Sequence, residues 1–100
     1  LIAGAREFNA GRYFEAHEIL EDGLDEVDDA DWDLVLGLIQ IAVGYHKASQ
    51  RRWSGALLML EKGLEKVAPY PDGSATLQLE ELRARAAAAA ARIAAGDCQA

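Results

Sequence analysis

Apolar residues recur every three or four positions through most of the chain and no segment alternates with period two, so helices are expected and sheet is not. Breakers divide this pattern into five elements. A short helix over Leu1 to Ala10 ends at Gly11, and a second runs from about Arg12 to Asp28. Asp28, Asp29 and Asp31 supply N-cap candidates for a third, from about Trp32 to Gln50. A fourth spans about Arg52 to Ala68 and is stopped by Pro69 and Pro71, with Asp72-Gly73 behind them. Ser74 or Thr76 is placed to cap a fifth, which carries six consecutive alanines, Ala86 to Ala91, and fades at Gly96.

The second helix repeats in the fourth with an offset of 40. Arg12, Ala16, Leu20, Glu21, Gly23, Leu24 and Val27 recur as Arg52, Ala56, Leu60, Glu61, Gly63, Leu64 and Val67, and Tyr13 pairs with Trp53. The recurring apolar and small positions fall on one helical face, where Ala16 and Gly23 admit a close neighbour. Helix-turn-helix units of about 34 to 45 residues with small-large alternation characterise tetratricopeptide-like repeats. The expected fold is therefore all-α: a compact single-domain bundle of about five helices, residues 1–100, containing two such units. The fifth helix is expected to cap the open face.

A repeat separates residues explained by packing from residues free to do something else. Glu15, His17 and Glu18 become Gly55, Leu57 and Leu58 in the second copy, which singles out Glu15-Ala16-His17-Glu18. At about 100° per residue, His17 lies roughly 80° from the centre of the buried stripe, with Phe14 and Glu21 on the same flank. Glu18 points away from the stripe. His17 and Glu21, four residues apart, are able to share a ligand or a hydrogen bond. In an antiparallel hairpin His17 comes level with Val43, and Glu21 with Ile39 and Gln40. Gln40 is the one polar residue in the apolar run Leu34 to Tyr45, and His46 sits about 120° from it, so at most one of the two faces His17.

That apolar run has 12 residues, whereas a membrane span needs about 20, so it is read as a core helix. Hydrophobic residues make up 51% and charged residues 27%, a globular balance. The net charge of −7 argues against nucleic acid and against an anionic membrane surface as partners. Cys98 is the only cysteine, and no signal-peptide pattern follows Leu1, so a cytoplasmic setting is expected.

Several chemistries fit poorly. Eight carboxylates crowd Glu21 to Asp33, but a calcium loop would need glycine at Leu34 and glutamate at Gln40. The stretch reads as a solvated helix end and linker, with an acidic docking surface as the alternative. His17-Glu18-Ile19-Leu20-Glu21 lacks the second histidine of a zincin. Ser49, Ser54 and Ser74 sit at helix ends and Cys98 near the chain end, so nucleophilic catalysis has no support. Tyr70, between two prolines, reads as a packing plug. No cofactor is expected. A metal set of His17, Glu21 and His46 is the minor alternative to a histidine at the core edge bonded to Glu21 or a carbonyl.

The stretch Phe8-Asn9-Ala10-Gly11-Arg12-Tyr13-Phe14-Glu15-Ala16-His17-Glu18-Ile19-Leu20-Glu21 resembles the signature of the domain-of-unknown-function 309 family. Gly37 to Val43 followed by Tyr45-His46 resembles its second block, and Trp53 to Leu57 with Leu60 its third. The blocks run from Phe8 to about Val67. Leu24 stands where the family usually carries tryptophan. The resemblance implies a small, soluble, all-helical protein with no assigned activity, and places Asn9, Tyr13, Glu15, His17, Glu18, Gln40 and His46 at motif positions. The expected function is a helical protein- or ligand-interaction module with a polar pocket or partner surface around His17, Glu18, Glu21 and Gln40. A homo-oligomer formed through the unpaired repeat face is left open. The competing reading is a metal-binding protein or small hydrolase-like enzyme using His17 with Glu21 or Glu18.

Overall fold

Short connections between helices force chain neighbours to pack side by side. The computed structural model, which describes residues 2–74 and 78–96, follows that rule throughout. Helices α1 (Ile2–Asn9), α2 (Tyr13–Asp22), α3 (Asp29–Ser49), α4 (Trp53–Val67) and α5 (Leu79–Ala94) each pack on the next, and no strand occurs among the described residues. The all-α bundle is thus as expected. None of these helices is long and apolar enough to cross a membrane.

Helix α3 is the centre. It lies between α2 and α4, and Leu34, Val35, Leu38, Ile39, Ile41 and Ala42 are all buried. Leu20 from α2, Leu60 and Val67 from α4, and Leu79, Ala86, Ala90 and Ile93 from α5 complete the core. Only three of the six consecutive alanines contribute: Ala86 and Ala90 are buried and Ala89 packs partly against them. The remaining three are exposed and act through helix propensity.

The repeat extends further back than the matched helices. Arg12 N–H donates to Glu7 O (3.0 Å) and Gly11 N–H to Phe8 O (3.0 Å), while Arg52 N–H donates to Lys47 O (2.9 Å) and Arg51 N–H to Ala48 O (3.0 Å). Each pair is a Schellman turn. Gly11 and Arg51 both have positive φ, at 81° and 59°. The N-cap residues that follow adopt φ −89°, ψ 76° at Arg12 and φ −91°, ψ 72° at Arg52. Gly4 and Gly44 match as well. A Cβ on Gly4 would lie 2.5 Å from Leu20 Cδ2, and one on Gly44 would lie 2.8 Å from Leu60 Cγ. The repeated unit is a helical hairpin: α1 with α2, and the C-terminal part of α3 with α4.

The copies diverge at their ends. Helix α2 stops at Asp22, not near Asp28 as the periodicity predicts, and gives way to a single 3-10 turn, Leu24–Glu26. The helix C-terminus carries a partial negative charge, so Asp22, Asp25 and Glu26 oppose continuation there. The second copy has Lys62, Glu65 and Lys66 at those places, and α4 runs on to Val67. Gly23 is consequently a helix end with no neighbour pressed on it, contrary to the packing role inferred from the repeat. Gly63 does have that role: its Cβ would lie 2.7 Å from Gly37 O and 2.5 Å from Ile41 Cγ1.

Helix α3 starts at Asp29, three residues earlier than expected, because Asp29 and Asp31 favour its positive first turn. Asp28 occupies the N-cap position without a side-chain bond. Between α4 and α5 the Ser74 hydroxyl donates to Pro71 O (2.8 Å) and does not cap α5. Asp72 Oδ1 instead accepts the Glu80 N–H at 3.1 Å. Thr76 and Cys98 lie outside the described residues. Tyr70 plugs this corner: its hydroxyl donates to Ala30 O (2.7 Å) and its carbonyl accepts from Arg83 (2.8 Å).

Candidate functional site

The eight residues singled out by sequence divide among different places. His17, on α2, is at the edge of the core with its side chain 24% exposed, and its Nε2 lies 2.8 Å from Glu21 Oε2. The i, i+4 spacing puts the imidazole and the carboxylate on one flank. His46 comes to the same region from α3. Both imidazoles pack against the Phe14 ring, with centroid distances of 5.7 Å for His17 and 4.9 Å for His46. His46, not Gln40, is therefore the residue that shares a surface with His17.

These three side chains form one wall of a groove of about 310 Å³. Val43, from α3 like His46, also lines it. Lys47, from the last turn of α3, and Gln50 and Arg52, from the connection to α4, complete the rim. Phe14 is 43% exposed and offers the groove an apolar face. No carboxylate lines the groove.

Asn9 and Tyr13 belong to a second cleft, of about 420 Å³. Tyr13 stacks on Tyr45 at 4.6 Å, and Phe8 meets both edge-on at 5.5 and 6.2 Å. Gln78, Glu81, Leu82 and Arg85 of the α5 region close it. Burial pushes the Tyr45 phenol above the usual tyrosine range, the neighbouring Tyr13 adds to the effect, and Arg85 and Arg92 oppose it.

Glu15 and Glu18 are exposed and line neither space. Gln40 lines neither space; its side-chain oxygen is buried with no hydrogen-bond partner among the described residues. Of the expected grouping of His17, Glu18, Glu21 and Gln40, only Glu21 stands with His17, and His46 takes the place of Gln40 beside it. Among the described residues no three His, Cys, Asp or Glu side chains converge to hold a metal, so His17, Glu21 and His46 do not form the ligand set the sequence left open.

Sequence reasoning passed over Lys47, Gln50 and Arg52. Comparison of the two copies, which already matched Arg52 with Arg12, would have pointed to Lys47 had it begun before Arg12. In the first copy Arg12 pairs with Glu7; at the position equivalent to Glu7 the second copy carries Lys47. The Arg12 guanidinium, hydrogen-bonded to the Glu7 carboxylate, holds that carboxyl below the usual range.

Two helical hairpins closed by a fifth helix, with a histidine-walled groove at their junction, define the class of molecule. The chain belongs to the family described as Domain of unknown function (DUF309), which it matches over residues 1–59. All residues of the groove fall inside that segment, whereas the aromatic cleft takes part of its wall from beyond it. Comparison with curated proteins and with solved structures gives no match.

Proposed function

We propose that the protein is a non-catalytic binding module whose ligand site is the groove between α2, α3 and the α3–α4 turn. One observation carries the reading. His17 and His46, from sequence blocks 29 residues apart, pack on the same exposed ring and open to the same space. Concave sites with an apolar wall and a few convergent polar groups are the usual form of a small-ligand site. Paired helical hairpins, as in tetratricopeptide-like arrays, present such concavities to ligands, an analogy at the level of fold. The lining has no Ser, Thr or Cys, so it offers no hydroxyl or thiol nucleophile. A cytoplasmic setting suits a chain with one cysteine.

Screening a fragment library while recording imidazole NMR signals tests this. Hits are expected to move His17 and His46 together, and to lose affinity in His46→Ala with the fold intact. Hits confined to the Tyr13–Tyr45 cleft, or none at all, would contradict the proposal.

A further inference from the structure

The two copies of the hairpin share a backbone but not a charge. Around the first turn stand Glu7, Arg12 and, in the first turn of α2, Glu15; Glu7 pairs with Arg12, and Glu15 also acts on the guanidinium. The equivalent positions around the second turn are Lys47, Arg52 and Gly55. Both carboxylates are gone and a second cation has been added. Because the Schellman hydrogen bonds and the N-cap dihedrals are the same, this difference is one of side-chain chemistry on equivalent geometry.

The substitution leaves like charges together. A Cβ on Gly55 would lie 3.1 Å from Lys47 Cδ, so the lysine stem lies across the first turn of α4 in space that Glu15 occupies on α2. Arg52 is beside it at the N-cap, and that turn has no acidic residue. Neither Lys47 nor Arg52 forms an ion pair among the described residues. Arg52 is a cation at the positive end of α4, an unfavourable place that a bound anion would relieve, whereas Lys47 stands in the last turn of α3 and adds its charge from there. All of this occurs in a chain of net charge −7.

We infer that the groove of His17, His46, Lys47 and Arg52 binds the phosphate group of a small phosphomonoester whose organic part rests on Phe14. The inference rests on the binding reading above and names its ligand class. A phosphate offers three terminal oxygens and up to two charges, which matches two permanent cations with the His46 imidazole and the Gln50 amide beside them; His17, whose Nε2 is held by Glu21 at 2.8 Å, walls the groove. A carboxylate, with one charge and two oxygens, would leave one cation unanswered. Phe14 and Val43 form the apolar part of the lining.

Titration calorimetry with phenyl phosphate and inorganic phosphate, at low ionic strength in a phosphate-free buffer, tests the assignment. Phenyl phosphate is expected to bind with a Kd of roughly millimolar or tighter, and inorganic phosphate more weakly. Lys47→Glu gives the second turn the carboxylate already present in the first, so it should fold and pair with Arg52; phenyl phosphate affinity should fall by at least about tenfold. Arg52→Gln should lower it independently. Undiminished binding by both variants would overturn the inference. If phenyl phosphate fails while benzoate or a neutral fragment moves His17 and His46, the ligand class is wrong and the groove stands. If no probe moves them, both proposals fall.

Discussion

Arg51 holds φ at 59°, a left-handed conformation that Gly11 supplies at the equivalent turn without a Cβ. A non-glycine residue there is strained by about 1–2 kcal/mol, and glycine's greater freedom in the unfolded chain offsets part of any relief. Arg51→Gly should therefore raise stability by about 0.5–1 kcal/mol in urea denaturation; a loss would mean the arginine side chain makes a compensating contact. His17 makes one bond, to a largely exposed Glu21, and keeps a quarter of its own side chain in water. Its replacement by alanine should lower stability by no more than about 1 kcal/mol. A loss of several kcal/mol would make it a structural residue. Tyr45 has its phenol raised by burial, so it should titrate above the ordinary tyrosine range in a UV or NMR pH series. The sign follows: its contribution to stability is complete below the unfolded tyrosine value and is lost as pH rises through the folded one. Alkaline unfolding should accordingly be delayed in Tyr45→Phe.

At the scale of the helix, identical letters in the repeat do not mean identical roles. Gly63 lies where α4 meets α3, and a methyl group there would press on the backbone of Gly37 as well as on Ile41. Gly63→Ala should destabilise by about 1–3 kcal/mol. Gly23→Ala, at a helix end with φ −89° and open surroundings, should be neutral or stabilising by up to about 1 kcal/mol. Equal losses at the two sites would refute the distinction. Helix number, the packing of α2 on α3 and the central position of Leu34 to Tyr45 were legible in the apolar spacing. The early end of α2 was not, because periodicity registers Leu24 and Val27 as helical whether or not charges at a helix end oppose them. Ser74 as the cap of α5 was misread for a related reason. Ser74 is chemically able to cap, but the bond comes from Asp72, eight residues before the amide it accepts, a choice made by loop geometry.

For the whole molecule, consecutive packing means that each hairpin meets the rest through its neighbours, and functional surfaces arise at the junctions. Two such surfaces stand out among the described residues. The Tyr13–Tyr45 cleft joins the first turn to α5, and the His17–His46 groove joins α2 to the second turn. Half of the site was visible in sequence, since His17 and His46 stand out as unusual residues on core helices. The cationic rim was not, because a lysine and an arginine in an interhelix turn look like ordinary surface until their counterparts, Glu7 and Arg12, are seen paired. Backbone amide shift mapping with phenyl phosphate chooses between the two surfaces most directly. The account predicts that perturbations centre on Phe14, His17 and residues 46–52 and leave Tyr13 and Arg85 unmoved; perturbations centred on the Tyr13–Tyr45 cleft would contradict it.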